Sequence, residues 1–390
     1  MMLSTKNFTQ EQIKDINRVN IINFIRQEKT TTKQEIALTL DLSIPTITSN
    51  INDLINEGYV KEVGIAKSTG GRKPVILGFV KNAKYSFGVS ITKDHVQIRL
   101  INLENDIIDE TEFPYTDLVT TLSSIKDHIT NMLKEHAINR KYVVGIGLAL
   151  PGVVNDEHLI LEKAPNLQVH DFSFIRFQES LGLRVWIENE ANIAAFAEIK
   201  VGNSKNIDNL VYISITEGIG TGIIIKSHIY KSNQKKAGEF GHTRVSGGQL
   251  RCNCGRSGCW ELYASKQALL RLYNEVSDIE TTSIDQIFDS YDHGDSLAKA
   301  ALLEYANYLF DGVENIILGL NPDYVVIGGE FGKYERILKQ VLRASDRFKT
   351  DRLVYEGSEI IFTGLEDKGA LTGAALLPLE VIFNYNSNVI

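Results

Sequence analysis

The sequence predicts an α/β protein with a winged helix-turn-helix at its N-terminal end. Three observations carry this. Apolar residues recur at helical spacing through three short segments before residue 57. Two extended runs follow, around a Gly-Gly-Arg-Lys tip. Beyond residue 80, strand-like and helix-like stretches alternate to the end of the chain. A chain of 390 residues, 43% hydrophobic and 23% charged, has the size and composition of a globular protein of more than one domain. Two lobes around a cleft are expected from about residue 80 onward.

The first helix is expected over 10–27, where Ile13, Ile16, Val19, Ile22 and Ile25 share a face. Thr30, Thr31 and Thr32 read as a polar break with capping hydroxyls. A second helix follows over 33–40, then the turn Asp41-Leu42-Ser43, in which Ser43 caps a third helix over 44–56. Pro45 falls in that helix's first turn, where a missing N–H costs little. Ile47, Ile51, Leu54 and Ile55 are expected to face inward, and Thr46, Thr48, Ser49, Asn50 and Asn52 outward. Small polar side chains on an exposed helix suit phosphates and base edges in a major groove, so double-stranded DNA is the expected partner. The runs 59–65 and 75–80 read as a β-hairpin wing, with Arg72 and Lys73 at its tip placed to reach a groove.

Charge agrees with that division. Residues 1–79 hold 10 Lys and Arg against 8 Asp and Glu, while residues 80–390 hold 31 against 41, so a mildly basic head precedes an acidic body within a net charge of −8. The boundary is set between residues 79 and 80. In the body, strands are expected over 85–103 (two, with a turn), 142–150, 185–188, 210–215, 222–225 and 324–328. Helices are expected over 118–135, 191–200, 266–275 and 296–318. The start, residues 1–12, has no apolar signal core, and no stretch approaches the ~20 apolar residues of a membrane span, so the reading is cytoplasmic. The three cysteines, Cys252, Cys254 and Cys259, lie within eight residues, a clustering that points to metal rather than disulfides.

Across essentially its whole length the sequence resembles the ROK family of repressors, open reading frames and sugar kinases, most of all its xylose-repressor branch. The resemblance rests on Gly145-Ile146-Gly147 with Pro151-Gly152, Glu188-Asn189-Glu190-Ala191-Asn192 and Glu217-Gly218-Ile219-Gly220-Thr221-Gly222. Gly238-Glu239-Phe240-Gly241-His242 with Cys252-Asn253-Cys254-Gly255-Arg256-Ser257-Gly258-Cys259-Trp260-Glu261 is the most specific part. Asn321-Pro322, Gly328-Gly329 and Gly369 with Gly373-Ala374-Ala375 complete it. The resemblance implies an actin-like, ribonuclease-H-like pair of lobes of the sugar-kinase type. His242, Cys252, Cys254 and Cys259 then form a closed tetrahedral zinc site with a structural role. It also implies that Asn189, Glu190, Glu239, His242 and Glu261 bind a monosaccharide. Carboxylates and amides hold paired hydroxyls, and His242 can face the metal with one nitrogen and the sugar with the other.

One family feature is missing. A kinase of this fold opens its body with an aspartate and a glycine-rich phosphate loop. Here Ser90 stands at the aspartate position, Thr92 and Lys93 replace the two glycines, and Asp94 replaces a threonine. A backbone carrying side chains cannot approach phosphates as closely, and Asp94 repels them. Glu190 stands where kinases carry the catalytic aspartate, and no catalytic residue is assigned. The expectation is a sugar-responsive repressor that is not an enzyme and acts as a homo-oligomer, a dimer or a tetramer. The alternative is an ATP-dependent sugar kinase with an appended DNA-binding head.

Overall fold

Capping chemistry sets the helix starts of the head. In the computed structural model, which describes residues 9–65, 73–205, 207–248, 250–278, 280–344 and 357–385, Thr9 and Gln12 form a capping box that opens α1 (Gln10–Glu28). Thr32 and Glu35 do the same for α2 (Lys33–Leu40), and Ser43 caps α3 (Ile44–Asn56), with Pro45 in the first turn. Ile21, Ile22 and Ile25 of α1, Ile36 of α2 and Ile47, Ile51 and Leu54 of α3 are fully buried and form one core. The triplet read as a polar break does more than cap. It forms a short strand, β1 (Thr30–Thr32), which pairs with β3 (Val75–Phe79), and β3 pairs with β2 (Val60–Ile65) in the order β1-β3-β2. β-branched threonines suit a strand, and β3 offered a free edge. Arg72 lies outside the described residues, and Lys73 is exposed.

The body builds one topology twice. In the first lobe, β4 (Tyr85–Ile91), β5 (His95–Asn102) and β6 (Ile107–Pro114) form an antiparallel meander. β7 (Val143–Leu150) and β11 (Val185–Asn189) add in parallel beyond β4, giving the order β11-β7-β4-β5-β6. In the second lobe, β12 (Leu210–Ile215), β13 (Ile219–Ile225) and β14 (His228–Ile229) form the meander. β15 (Tyr324–Gly329) and β16 (Glu359–Phe362) add in parallel beyond β12, giving β14-β13-β12-β15-β16. Counted from each lobe's first strand, both sheets read 5-4-1-2-3, which is the actin-like pair of lobes. A small sheet of β8 (Val153–Asn155), β9 (Ile160–Ala164) and β10 (Val169–Ser173), absent from the sequence reading, rims the first lobe. β6 was also missed, because its DETE run hides the alternation.

Each sheet is covered outside by helices and inside by one central helix. α4 (Leu118–Glu135) and α5 (Ile175–Leu181) bury Leu122, Ile125, Ile129 and Phe177 on the first sheet. α8 (Lys266–Asn274), α9 (Ile284–Asp292), α10 (Ser296–Leu320) and α11 (Glu335–Ala344) cover the second. Between the sheets lie α6 (Glu190–Val201) and α12 (Gly369–Leu376), packed on each other. α12 lies directly on the first sheet because Gly88 and Gly147 have no side chain there; a Cβ at either would collide with the backbone of Ala375 or Ala374. α6 lies as closely on the second sheet, where a Cβ at Gly222 would strike the Ala191 carbonyl. Several motif glycines are thus explained by helix–sheet packing, which a sequence cannot distinguish from a ligand loop. A last turn, α13 (Glu380–Phe383), meets α1 of the head.

Candidate functional site

Four soft and borderline donors converge beside the cleft. His242 ends a 3-10 turn that follows Glu239. Cys252, Cys254 and Cys259 come from a loop whose tight turns use Gly255 and Gly258, at φ of 89° and 80°. The four ligand atoms all lie within 4.8 Å of one another. Cys254 Sγ and Cys259 Sγ are 3.6 Å apart, and Cys252 Sγ is 3.5 Å from His242 Nδ1. Ligands ~2.3 Å from a tetrahedral ion are about 3.7 Å from each other, so the cluster is sized for one ion. Burial opposes ionisation of Cys254, but Arg256 and the neighbouring thiols hold it down to about 6. That leaves a thiolate ready for a cation. The loop is anchored by Trp260, fully buried against Gly312 of α10, whose indole N–H donates to the Tyr308 carbonyl at 2.8 Å.

The expected sugar residues come from both sides of β13. On one side Asn189 caps α6: its side-chain oxygen accepts from the N–H groups of Ala191 and Asn192, and its amide donates to the Gly152 carbonyl at 2.9 Å. Glu190 follows in the first turn, and desolvation pushes its carboxyl up to about 7. On the other side, His242 Nε2 is 3.7 Å from Glu239 and its Nδ1 is 3.3 Å from Glu261, the first residue of α7 (Glu261–Ala264). β13 joins the two groups. Gly220 and Gly222 back onto Ala191, and the loop 238–241 crosses the same strand at Ile219 and Thr221. Glu239 is more than half exposed and free to meet a ligand, while Asn189 spends its oxygen on the helix cap. The Nδ1 of His242 faces Cys252 and Glu261, and its Nε2 faces Glu239.

The turn after β4, where the sequence lacks the expected glycines, is tied to the second lobe by ion pairs. Ser90 is buried at the end of β4, and the Thr92 hydroxyl closes the β4–β5 turn by accepting the His95 N–H. Lys93 reaches across from this turn to Glu217 of the second lobe at 2.9 Å. Glu217 also pairs with Lys266 at 3.5 Å, and Lys266 pairs with Glu330 at 2.9 Å. Of the glycines in the motif 217–222, Gly220 and Gly222 are in strand β13, and Gly218 lies in the turn before it.

The outward face of α3 needs one correction. Asn50 was expected to face DNA, but it is 2% exposed and its amide donates to the Thr46 carbonyl at 2.9 Å. It lies one turn after Thr46, on the side of Ile47, Ile51 and Leu54, so the helix's own rotation carries it inward. The Thr46 hydroxyl pairs with Ser43 in the cap. Ser49 and Asn52 are exposed and Thr48 is partly so.

Sequence reading also missed a second bridge across the cleft. Lys231, after β14, is buried and pairs with Glu188 of β11 at 2.6 Å and with Asp156 at 2.7 Å. Burial opposes ionisation of Asp156, but Lys231 and Lys235 hold its carboxyl below the usual range. The one available signal was a lysine directly after the apolar pair Ile229-Tyr230.

Comparison with known proteins agrees with this architecture. The profile of the ROK family matches residues 86–381, and a winged helix-turn-helix DNA-binding profile matches residues 14–61. The xylose repressor of Bacillus subtilis strain 168 is 33% identical over 326 residues, 82% of this chain and 83% of that protein. A solved ROK family transcriptional regulator, a homolog of the E. coli MLC protein, superposes with a TM-score of 0.80 at 23% identity, covering 97% of this chain and 98% of that one. A ROK family glucokinase from Streptomyces griseus, solved with glucose and AMPPNP, has a TM-score of 0.64 at 25% identity and covers 75% of this chain and 98% of its own.

Proposed function

This chain belongs to the ROK family, and from that membership we propose that it is a transcriptional repressor of carbohydrate-utilisation genes whose grip on DNA is set by a monosaccharide. The observation that carries this reading is the pairing of a DNA-type head with a kinase-type body whose phosphate corner is closed by Lys93, Glu217 and Lys266. Phosphoryl transfer needs a metal nucleotide held in line with the acceptor. Two lysines and two carboxylates tied to one another there leave no free cradle for it, so the body binds a sugar without phosphorylating it.

The division falls between residues 79 and 80, supported by the end of β3 at Phe79 and the start of β4 at Tyr85. Thr48, Ser49 and Asn52, with the wing residues Arg72 and Lys73, contact operator DNA; Thr46 serves the cap. Asn189, Glu190, Glu239, His242 and Glu261 hold the sugar, with xylose the first candidate. Zinc binds at His242, Cys252, Cys254 and Cys259. With all four positions filled it has no water to activate, so it fixes the loop that carries Glu239, His242 and Glu261. A homodimer places two heads on an inverted repeat, and sugar-driven movement of the lobes changes their spacing and lowers operator affinity. A protein that works on DNA in this way resides in the cytoplasm. Among the described residues no helix is long and apolar enough to cross a membrane.

Fluorescence anisotropy of a duplex selected by the sugar-free protein, titrated with a monosaccharide panel, tests this. One sugar is expected to release the duplex from the wild type, and Glu239→Ala is expected to bind the duplex but ignore that sugar. Sugar phosphate formed with ATP and magnesium at even ~1 per second, the low end of enzyme rates, would establish the kinase instead.

A further inference from the structure

The sugar residues and the head lie at opposite ends of the same buried helix. α6 starts at Asn189 and Glu190 and runs 12 residues, about 18 Å, to Val201. Residues 191–199 are all buried, so the helix is packed all round. A rod packed at interior density moves as a unit rather than bending. At its far end Lys200 Nζ is 2.9 Å from Glu380 Oε2.

Glu380 opens α13, which continues from α12 through the turn Leu377–Leu379. α12 is the other central helix. It is keyed to α6 where Gly373 backs onto the Ile193 carbonyl, and to the first sheet where the Ser86 hydroxyl donates to the Ala375 carbonyl at 2.5 Å. Any sliding of one lobe on the other therefore displaces α6 against α12 and α13.

The head holds α13 directly. Asn23 of α1 donates to the Phe383 carbonyl at 2.9 Å, and the Arg26 guanidinium stacks 4.2 Å from the Phe383 ring centre. α1 is in turn locked to the recognition helix α3 through Ile21, Ile22 and Ile25 against Ile47, Ile51 and Leu54. A cavity of about 170 Å³ opens at this seam, lined among others by Arg26, Lys200, Glu380 and Asn384. Glu380 thus stands between a cation of the body helix and a cation of the head helix, with room for the side chains to rearrange.

We propose that Glu380 is a positioning residue that couples the sugar site to the DNA-binding head, paired with Lys200 of α6 in one state and with Arg26 of α1 in the other. A carboxylate shared by two cations on separately moving elements is a two-state element, and packed interfaces convert small shifts into such discrete exchanges. The structure holds the Lys200-paired state. When the sugar draws the N-terminal end of α6, Lys200 withdraws, Glu380 turns to Arg26, and α1 swings with α3.

This inference rests on the sugar-responsive reading above, and the test separates the two. Full-length zinc-loaded protein is titrated with D-xylose, D-glucose and N-acetylglucosamine by calorimetry. Operator affinity is then measured with and without the sugar that binds, on a duplex enriched from a random pool by the sugar-free protein. Glu380→Gln keeps the side chain's size and removes its charge. Its sugar Kd and sugar-free operator Kd should stay within about threefold of wild type, while a sugar-driven loss of operator affinity of about tenfold or more should shrink below about twofold. A variant that keeps the wild-type loss overturns the proposal. Hydrogen exchange on the wild type gives a second reading. Sugar should change protection in residues 21–28 and 376–384, and no change there also overturns it. A wild type whose operator affinity responds to none of the sugars overturns the functional reading, and this coupling with it.

Discussion

Asn50 and Asn52 sit two positions apart on one helix, and their roles separate by burial alone. Asn52 is exposed on the face opposite Ile47, Ile51 and Leu54, whereas Asn50 turns inward onto the Thr46 carbonyl. Asn52→Ala should weaken operator binding by about 1–3 kcal/mol, the range of a side chain pairing with a base, and leave the melting temperature unchanged. Asn50→Ala should do the reverse, shifting the melting temperature with operator affinity held within about twofold. Anisotropy and thermal melts on both variants decide it. Glu190 makes a second prediction at this scale. Its carboxyl, raised from 4.5 to about 7, favours the folded state when protonated, so its contribution is complete below pH 4.5 and is lost as pH rises to about 7. Glu190→Gln, neutral throughout, should abolish that part of the pH dependence and be more stable than wild type above pH 7. Chemical denaturation of both proteins across this range measures it, and parallel curves would rule it out.

The loop that carries the three cysteines has little regular secondary structure, so its shape depends on its anchors. Trp260 is one anchor and the cluster of His242 with the three cysteines is the other. Gly312 makes room for the indole within α10, and a Cβ there would collide with Trp260. Overpacking of a filled core costs about 1–3 kcal/mol, and here the ring cannot retreat without dragging Glu261 and Cys259. Gly312→Ala should therefore lower the melting temperature and weaken sugar binding together, though the substituted residue is on another helix. Cys254→Ser should reach the same end from the other side, with less than one zinc per chain by elemental analysis and a weaker sugar Kd. Full zinc occupancy with unchanged sugar affinity in Cys254→Ser would remove the metal from this role.

At the scale of the whole molecule, ion pairs at Lys93 and at Lys231 join the lobes, and burial decides which of these matters for stability. Lys93 and Glu217 keep side-chain exposures of 41% and 25%, so water screens them and their pair is worth about 1 kcal/mol or less. Lys231 and Glu188 are 7% and 2% exposed, and removing the lysine would strand a buried carboxylate at a cost of about 3–5 kcal/mol. Lys231→Met should thus destabilise the fold strongly. Lys93→Ala should barely change stability, yet free the lobes at the β4–β5 turn and increase the radius of gyration by small-angle scattering. An unchanged radius in Lys93→Ala would mean that the central helices alone set the lobe angle.

Much of this protein is local in origin and was legible from residue order. The cap at Ser43, the helical spans of α3 and α4 and the crowded cysteines are patterns spanning a few turns, and the structure keeps their boundaries. That Thr92 and Lys93 stand where glycines were expected is a matter of residue order alone. What stayed hidden depends on partners far along the chain. Lys231 meets Glu188 and Asp156, Lys93 meets Glu217, and Glu380 meets Lys200, and no periodicity records such pairs. The packing role of the motif glycines at 147, 222 and 373 was hidden as well, because it depends on which distant helix lies against each of them. Asn50 went astray because a polar side chain within an amphipathic helix can be buried when a backbone carbonyl one turn back accepts its hydrogen bond. Sequence determined the elements and the donor chemistry through short-range geometry. Tertiary structure alone decided which charges face each other across the cleft and which helix lies between the site and the head, because those depend on how the two lobes pack around the central helices.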